Sequence, residues 1–557
     1  MKQAKTAHNW IWRASRPFVG QIILLSIISG LNALSAVGFA LLSRQVIDRA
    51  MGVVAGSFWV PGALLVLLVA ARIVTNVVCN LLNGWISCRM EMRIKDRVFS
   101  ILFRKQWKEV NAYHSGELLH RMTSDTGVVV NGVVSLIPHV VSMATSLVAC
   151  VAVLFSIDWK FTVILLVIGT IILIISRFYG KKMKELHKLC QQTDGKSKSF
   201  AQESLGNWMM IQSFDGATPV RHRLGRLMMA NFKARMRRIR WSNVSHAGMY
   251  LLFNGSYYIA LLWGAIQLAG GNGGMTYGTL MALLQIVSQI RAPFMNMSGL
   301  LPQYYNMLAS AERLQELEDL TDEPRLECLY SGEELYSRMQ SIQADDLTFS
   351  YDADKVVLQN ADLTIRKGEF VALAGFSGIG KTTLFKLLLG FYPLDGGDLI
   401  VNLDEEKLTL GADTRSLFAY VPQQSMLLSG TIRENVAFCC GDVTEEDIWS
   451  ALEVADVADA VRQLPDGLNT MLGERGAGLS EGQIQRLAIA RAVLSGAPIL
   501  LLDECTASLD ESTEERVLQR LRALENRTCL CISHRPAALE ICDRVIHVED
   551  GKFIEVE

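Results

Sequence analysis

Charge is what the first half of this sequence lacks. Residues 18–43, 126–157, 161–176 and 241–290 contain no Asp, Glu, Lys or Arg, and residues 51–88 contain one such residue, Arg72. Stretches like these exclude an ordinary water-soluble fold for the first ~310 residues, because roughly 20 apolar residues in helix span a bilayer. Six spans are expected: one in 18–43, a loop and a span in 51–88, one in 126–157, a shorter one in 161–176, and two in 241–290. The last pair is divided at Gly270-Gly271-Asn272-Gly273-Gly274. Trp159 and Tyr179 flank the fourth as interfacial anchors. The first span is too long for a cleavable signal peptide and leads straight into further apolar segments.

Two other absences narrow the possibilities. The net charge is only −2 over 557 residues, so there is no basic surplus to attract nucleic acid. The eleven cysteines are scattered, and the pair Cys529 and Cys531, which lies in an apolar run, lacks metal-site spacing. They are expected to be reduced and mostly buried.

The charge that is present is unevenly placed. Lys2, Lys5, Arg13 and Arg16 precede the first span, residues 89–121 hold eight Lys/Arg, and residues 177–240 hold fifteen. The alternate connections are sparse: Arg44, Asp48 and Arg49, then Asp158 and Lys160, then no charge around 270–274. Positive residues accumulate on the cytoplasmic side. The N-terminus, both long loops and everything after the sixth span are therefore expected in the cytoplasm, in a multi-pass protein of the cell (inner or plasma) membrane. The two loops carry helical patterning with few breakers, so the spans are expected to continue as rods, at about 1.5 Å per residue. A basic segment lying on anionic headgroups is the alternative.

The second half reads as a soluble α/β protein. The run Phe370-Val371-Ala372-Leu373-Ala374 is followed by Gly375-Phe376-Ser377-Gly378-Ile379-Gly380-Lys381-Thr382-Thr383 and then by apolar helical patterning. Strand, glycine loop and helix form the setting in which backbone N–H groups and a helix N-terminus cradle a polyphosphate. Lys381 would reach the β- and γ-phosphates, and the Thr382 hydroxyl would ligate Mg²⁺. A second apolar run, Pro498-Ile499-Leu500-Leu501-Leu502, ends in Asp503-Glu504, as a strand buried on both faces would at its ligand-facing end. Asp503 is the candidate Mg²⁺ carboxylate and Glu504 the group that polarises the attacking water. A third run, residues 528–532, leads to His534, and Gln423 follows the apolar segment 418–421.

Taken in order, Tyr351, the loop 375–383, Gln423, Leu479-Ser480-Glu481-Gly482-Gln483, Asp503-Glu504, Ser508-Leu509-Asp510 and His534 closely resemble the ATP-binding cassette of ABC transporters. Residues 339–557 are covered almost end to end. The segments Leu428-Ser429-Gly430-Thr431-Ile432-Arg433-Glu434-Asn435, Gly473-Glu474-Arg475-Gly476, His114-Ser115-Gly116-Glu117-Leu118-Leu119 and Ala311-Glu312-Arg313-Leu314 are similar to those of type IV exporters. The resemblance implies a multidomain chain: a six-helix all-α transmembrane domain (1–320), a linker (321–338) and a C-terminal α/β P-loop NTPase domain (339–557). It also implies ATP and Mg²⁺ as ligands.

Tyr351 would stack on adenine. Gly375, Ser377, Gly378, Gly380, Lys381, Thr382 and Thr383 would hold phosphates. Thr382, Gln423 and Asp503 would serve Mg²⁺, with Gln423 also near the lytic water. Glu504 would be the base and His534 the γ-phosphate sensor. Ser480, Gly482 and Gln483 would reach ATP bound on an opposite subunit, with Asp510 packing across that interface, so a second half-transporter is required as partner. ATP-driven alternating access through membrane lipid follows.

Glu481 departs from the pattern, which usually has Gly there. An acid near a triphosphate beside an intact Walker side tilts the expectation from homodimer towards heterodimer. The cargo is weakly encoded. Arg72 and Arg291 are intramembrane charges and so candidates to line a cavity for an anionic or amphipathic cargo. The structural alternative is snorkelling or pairing with Asn76, Asn296 or Gln289. His139, His246 and Asn254 are expected to make helix–helix hydrogen bonds. No protease domain of the leader-trimming kind is expected before the first span. The readings in competition are an exporter, an exporter-fold importer of the metallophore type, a lipid flippase, and a non-transporting ATPase or scaffold. Intact Glu504, Gln423 and His534 argue against the last.

Overall fold

The structure is a computed structural model and describes residues 2–269, 275–324, 330–351, 356–376, 378–404, 406–424, 426–438, 440–473, 476 and 478–556. The chain divides into two compact units, Met1–Ser100 with Ser115–Glu318, and Ile101–His114 with Asp319–Glu557.

The first unit is helical: α1 (Lys2–Ser15), α2 (Val19–Ala50), α3 (Trp59–Leu102), α5 (Ser115–His120), α6 (Thr126–Ile157), α7 (Trp159–Gly206), α8 (Trp208–Ser213), α9 (Ala217–Ala269) and α10 (Tyr277–Glu318). The four-residue α4 (Trp107–Val110) falls in the second unit. The six expected spans lie on α2, α3, α6, α7, α9 and α10. Among the described residues, four stretches are long and apolar enough to cross a membrane: Thr6–Ala50, Trp59–Leu102, Ser115–Ile157 and Tyr250–Ala269. The glycine break at 270–274 and the side chains of Tyr179, His246 and Asn296 lie outside the described residues. The basic loops are largely helical, since α3 runs on to Leu102, α7 to Gly206, and α9 begins at Ala217.

α2, α6 and α10 pack on one another, and α7 packs on α9. Val37, Cys150, Leu154, Phe161, Ala260, Leu283 and Ile286 form a shared core. The few acids act as fasteners. Buried Asp48 accepts from the Gly278 N–H at 3.1 Å, tying the end of α2 to the start of α10. Asp158 caps α7 through the Phe161 N–H at 3.1 Å and accepts from Trp263 Nε1 at 2.8 Å. Asp125, 1% exposed, closes a π-helical turn (Arg121–Asp125) and takes bonds from Arg313 Nε at 2.8 Å and Ser310 Oγ at 2.9 Å. Arg121 joins Glu117 and Glu316 on the same seam. The apolar window of α3 has no buried residue, and Val66, Leu67, Ile73, Val74 and Leu81 are exposed.

The candidate polar residues of this unit pair otherwise than expected. Asn76 bonds Asn32, while Gln289 donates to the Ala36 carbonyl at 2.9 Å. Arg291 lies over the Tyr250 ring at 5.0 Å, and Arg72 is exposed. His139 (to Ser135 O, 2.8 Å) and Asn254 (to Tyr250 O, 2.7 Å) bond their own helices rather than neighbours, because a carbonyl one turn back is always within reach.

The second unit contains β1 (Met339–Ser350), β2 (Val356–Arg366), β3 (Phe370–Ala374), β4 (Gly396–Leu403), β5 (Lys407–Thr409), β6 (Phe418–Val421), β7 (Gly430–Thr431), β8 (Met471–Leu472), β9 (Ile499–Asp503), β10 (Thr528–Ile532), β11 (Arg544–Glu549) and β12 (Lys552–Val556). A four-stranded antiparallel sheet runs β2-β1-β4-β5. A six-stranded sheet runs β12-β11-β3-β10-β9-β6, parallel except for β12. Every residue of β3, β9 and β10 is buried, as uninterrupted apolar runs demand when both faces are covered, here by helices on one side and by the four-stranded sheet with the helix Lys381–Leu388 on the other. Because these three strands are neighbours, the loop after β3, the acids ending β9 and His534 after β10 emerge at one sheet edge.

Residues 101–114 belong to this unit through specific bonds. Lys105 Nζ reaches the Leu320 carbonyl at 2.6 Å and Asp322 at 2.7 Å. Glu109 accepts from both the N–H and the hydroxyl of Thr321 (2.6 and 2.8 Å), and Trp107 sits 5.5 Å from the Phe391 ring. Arg415 covers Phe391 at 4.7 Å and pairs with Glu323, whose side chain is 7% exposed. Within the expected linker, 325–329 lie outside the described residues, and Ser331 caps the helix Gly332–Arg338 through a capping box. Cys505, Cys529 and Cys531 are buried free thiols, and burial pushes Cys505 up to about 12.

Candidate active site

The loop after β3 needs glycine for conformational reasons. Gly375 and Gly380 hold φ of 130° and 119°, where a Cβ would also meet the Val548 carbonyl at 2.7 Å and the Val357 side chain at 2.8 Å. Gly378 is likewise left-handed, at 82°. Ser377 lies outside the described residues. Gly380 caps the helix Lys381–Leu388, whose N-terminal N–H groups face the loop. Lys381 is 5% exposed. Its Nζ donates to the carbonyls of Gly375 and Phe376 (3.0 Å for the latter) and lies 3.0 Å from His534 Nε2. Desolvation lowers its pKa against the opposing charges of Glu504 and Asp503.

Asp503 ends β9 with both oxygens engaged. Thr382 Oγ1 donates to Oδ1 at 3.0 Å, and Tyr420 donates its hydroxyl to Oδ2 at 3.0 Å. Desolvation raises the Asp503 pKa, partly offset by these two bonds. Burial, and then the Asp503 charge, push the Tyr420 phenol upward. Glu504 takes φ of 46°, a left-handed conformation that costs a non-glycine residue about 1–3 kcal/mol and is held here by its N–H bond to the Ile532 carbonyl (3.0 Å). Gln423 Nε2 donates to Glu504 Oε2 at 2.7 Å. Lys381, Thr382, Asp503, Glu504, Gln423 and His534 thus fall into three directly bonded pairs at one sheet edge: Lys381 with His534, Thr382 with Asp503, and Gln423 with Glu504.

Of the remaining candidates, Tyr351 touches the helix that follows the phosphate loop, and the others lie elsewhere in the unit. The Tyr351 ring stands edge-on to Phe349 and Tyr392 (5.0 and 5.3 Å), and its hydroxyl is 3.1 Å from Thr383 Oγ1. Ser480 caps the helix Glu481–Leu494 through a capping box with Gln483. Glu481 is exposed in the first turn. At Gly482 a Cβ would stand 3.2 Å from Leu509 and 3.3 Å from the Ser508 carbonyl, so the missing side chain lets loop 506–510 approach. Asp510 caps the helix Glu511–Arg522, and bonds from Ser512 and Thr513 lower its pKa to about 2. No hydrogen bond among the described residues joins Ser480, Gly482 or Gln483 to the Lys381–Asp503 group. Glu474 and Arg475 lie outside the described residues.

Sequence reasoning missed Tyr420, although it sits in the quoted segment 418–421. Its signal was a polar-tipped residue on an otherwise apolar strand, β6, that neighbours β9.

A hydroxyl and a single carboxylate, both hard oxygen donors side by side, suit Mg²⁺, which keeps water and substrate phosphates among its ligands rather than an all-protein cage. A left-handed glycine loop with a buried lysine suits a polyphosphate. The class is therefore a P-loop ATPase fused to a membrane helical bundle. Residues 19–294 match the ABC transporter transmembrane region, and residues 358–507 match the ABC transporter family. The chain belongs to the ABC transporters, as an exporter-type half-transporter that hydrolyses ATP. It is similar to an ATP-dependent lipid A-core flippase of Pasteurella multocida, 28% identical over 98% of this chain and 94% of that protein. It is also similar to an ATP-dependent lipid A-core flippase of Photobacterium profundum, 29% identical over 85% of this chain and 80% of that protein. The fold matches the structure of a bacterial Atm1-family ABC exporter with ATP bound, at a TM-score of 0.78 and 22% identity, over 97% of this chain and 95% of that one.

Proposed function

We propose that this chain moves an amphipathic, lipid-like molecule out of the cytoplasmic leaflet of a cell membrane, powered by MgATP held between two such cassettes. The observation that carries the ATP chemistry is the convergence of three bonded pairs, Lys381 with His534, Thr382 with Asp503 and Gln423 with Glu504. In this reading Lys381, Thr383 and the loop glycines with Ser377 hold phosphates, and Tyr351 offers its ring to adenine. Thr382, Asp503 and Gln423 hold Mg²⁺, which supplies charge neutralisation at the transferring phosphoryl group. Glu504, oriented by Gln423, polarises the attacking water, and His534 senses the γ-phosphate. Ser480, Gly482 and Gln483 serve the ATP of the opposite cassette.

ABC half-transporters generally dimerise, and two exposed surfaces support a second chain here. One is the bare window of α3, a face open equally to lipid and to a second chain. The other is the α8 tip, where Met209 and Phe214 are 85% and 82% exposed. Glu481 favours a heterodimer. The frame is a transmembrane domain of 1–320, a linker of 321–338 and a cassette of 339–557, with the N-terminus and cassette cytoplasmic by the loop-charge asymmetry. Exposed Arg72 and ring-stacked Arg291 are the candidates for recognising an anionic headgroup.

The test is reconstitution in proteoliposomes with a headgroup-labelled anionic lipid and accessible ATP. Leaflet transfer that stops in Glu504→Gln and weakens in Arg291→Ala supports the reading. Robust ATPase activity without transfer of any lipid removes the cargo assignment. Full activity of this chain alone removes the heterodimer.

A further inference from the structure

His534 is followed by Arg535, which the ATP chemistry above does not use. Its guanidinium is a fork on loop 506–510: Nη1 donates to the Leu509 carbonyl at 2.7 Å, and Nη2 to the Ala507 carbonyl at 2.7 Å. Nη1 also pairs with Glu514 Oε2 at 2.8 Å. Glu514 is 1% exposed, and its other oxygen takes the Thr506 hydroxyl at 2.7 Å. A buried carboxylate is tolerated only when paired and hydrogen-bonded, so this pair is committed to its geometry.

The far side of the same loop is held by the helix Glu481–Leu494. Gln485, 4% exposed, accepts from the Ser508 hydroxyl at 2.5 Å and its N–H at 3.3 Å, and Gly482 lets Leu509 approach. The loop itself departs from Glu504, whose carbonyl accepts the Ala507 N–H at 3.1 Å. One contiguous path therefore runs from His534, beside Lys381, through Arg535 to loop 506–510 and on to the helix that begins after Ser480.

We propose that Arg535 is a positioning residue that fixes loop 506–510 to His534, so that occupancy of this chain's phosphate loop sets the surface it presents to the second ATP. The inference rests on the two-cassette reading above. A fork onto two backbone carbonyls suits this task because it constrains position as well as charge. A lysine would keep the ion pair and lose one of the carbonyls.

The experiment uses the full chain in lipid nanodiscs, paired with itself or, where it is silent alone, with the half-transporter that restores its turnover, as wild type, Arg535→Ala, Arg535→Lys and Glu514→Gln, with MgATP as the probe. Wild-type turnover is expected to depend steeply on ATP, with a Hill coefficient approaching about 2, the number of coupled sites. In Arg535→Ala the coefficient falls to about 1. Turnover falls about 2- to 30-fold, the range for a residue that carries coupling between sites. MgATP affinity, measured in a Glu504→Gln background, stays within about twofold. Arg535→Lys lies between the two. Wild-type steepness and turnover in a stable Arg535→Ala protein overturn the proposal, as does a loss wholly explained by weaker MgATP binding. If Arg535→Ala does not fold, Glu514→Gln decides by the same readings. A wild-type chain with a hyperbolic response, and with activity falling linearly on mixing with Glu504→Gln chains, sinks the two-cassette reading itself and the proposal with it.

Discussion

The two units solve the same problem, burying enough of a chain to hold it together, in opposite ways. The cassette closes on itself. Its two large cores flank a sheet whose central strands are buried residue by residue, and its polar groups are knotted into local networks such as Asp503 with Thr382 and Tyr420. The membrane unit leaves much of its apolar surface uncovered, including the whole span window of α3. It relies on a few acids, Asp48, Asp125 and Asp158, to fix helix against helix. In lipid the outward face needs no protein cover, so specificity falls to rare polar contacts and to whatever second chain covers the rest.

The comparison can be broken most sharply in the cassette. Glu504→Gln keeps the Gln423 contact possible while removing the charge that polarises water. ATPase activity is expected to fall about 100-fold or more, with the melting temperature unchanged, checked by phosphate release beside a thermal scan. The membrane unit should show the reverse. Asp125→Asn breaks a buried pair whose Arg313 partner is 42% exposed, so destabilisation of about 1–3 kcal/mol is expected, below the range for fully buried pairs. Detergent unfolding of the full chain reads it, and an unchanged midpoint would show that Asp125 is no fastener. Tyr420→Phe removes one donor from Asp503 with little change in volume. The Mg²⁺ concentration needed for half-maximal nucleotide binding is expected to rise about 10-fold, the low end for loss of a second-sphere bond to a metal ligand. Binding of ATP in EDTA should not move, which separates this from a packing defect. The smallest effect belongs to Ser331→Ala. Losing the capping box costs about 1 kcal/mol, visible in the cassette's unfolding and invisible in turnover.

Much of the cassette was legible because its chemistry is written contiguously. The loop 375–383 and the pair Asp503-Glu504 each sit at the end of an apolar run, and strand ends converge in a parallel sheet. Tyr420 was not legible, because its role depends on β6 lying beside β9, a pairing across some eighty residues that no local pattern announces. Likewise Gln289 and Asn76 were read as neighbours of the intramembrane arginines. In the fold they bond Ala36 and Asn32, because helix rotation, unlike helix existence, is set by packing. Four of the expected spans were readable from missing charge as long apolar helical stretches among the described residues, and 126–157 coincides with α6. The alternation of basic and sparse loops carried the expected orientation.

Trp107, Glu109 and Lys105 are separated from Phe391 and Arg415 in sequence by the whole segment Ser115–Glu318 of the membrane unit, yet they share one packed unit. A cassette excised at residue 339 would strip Phe391 of its indole and Arg415 of its carboxylate, baring an aromatic ring and a lone cation on the severed face. The natural cutting lines of this molecule do not follow the order in which it is translated.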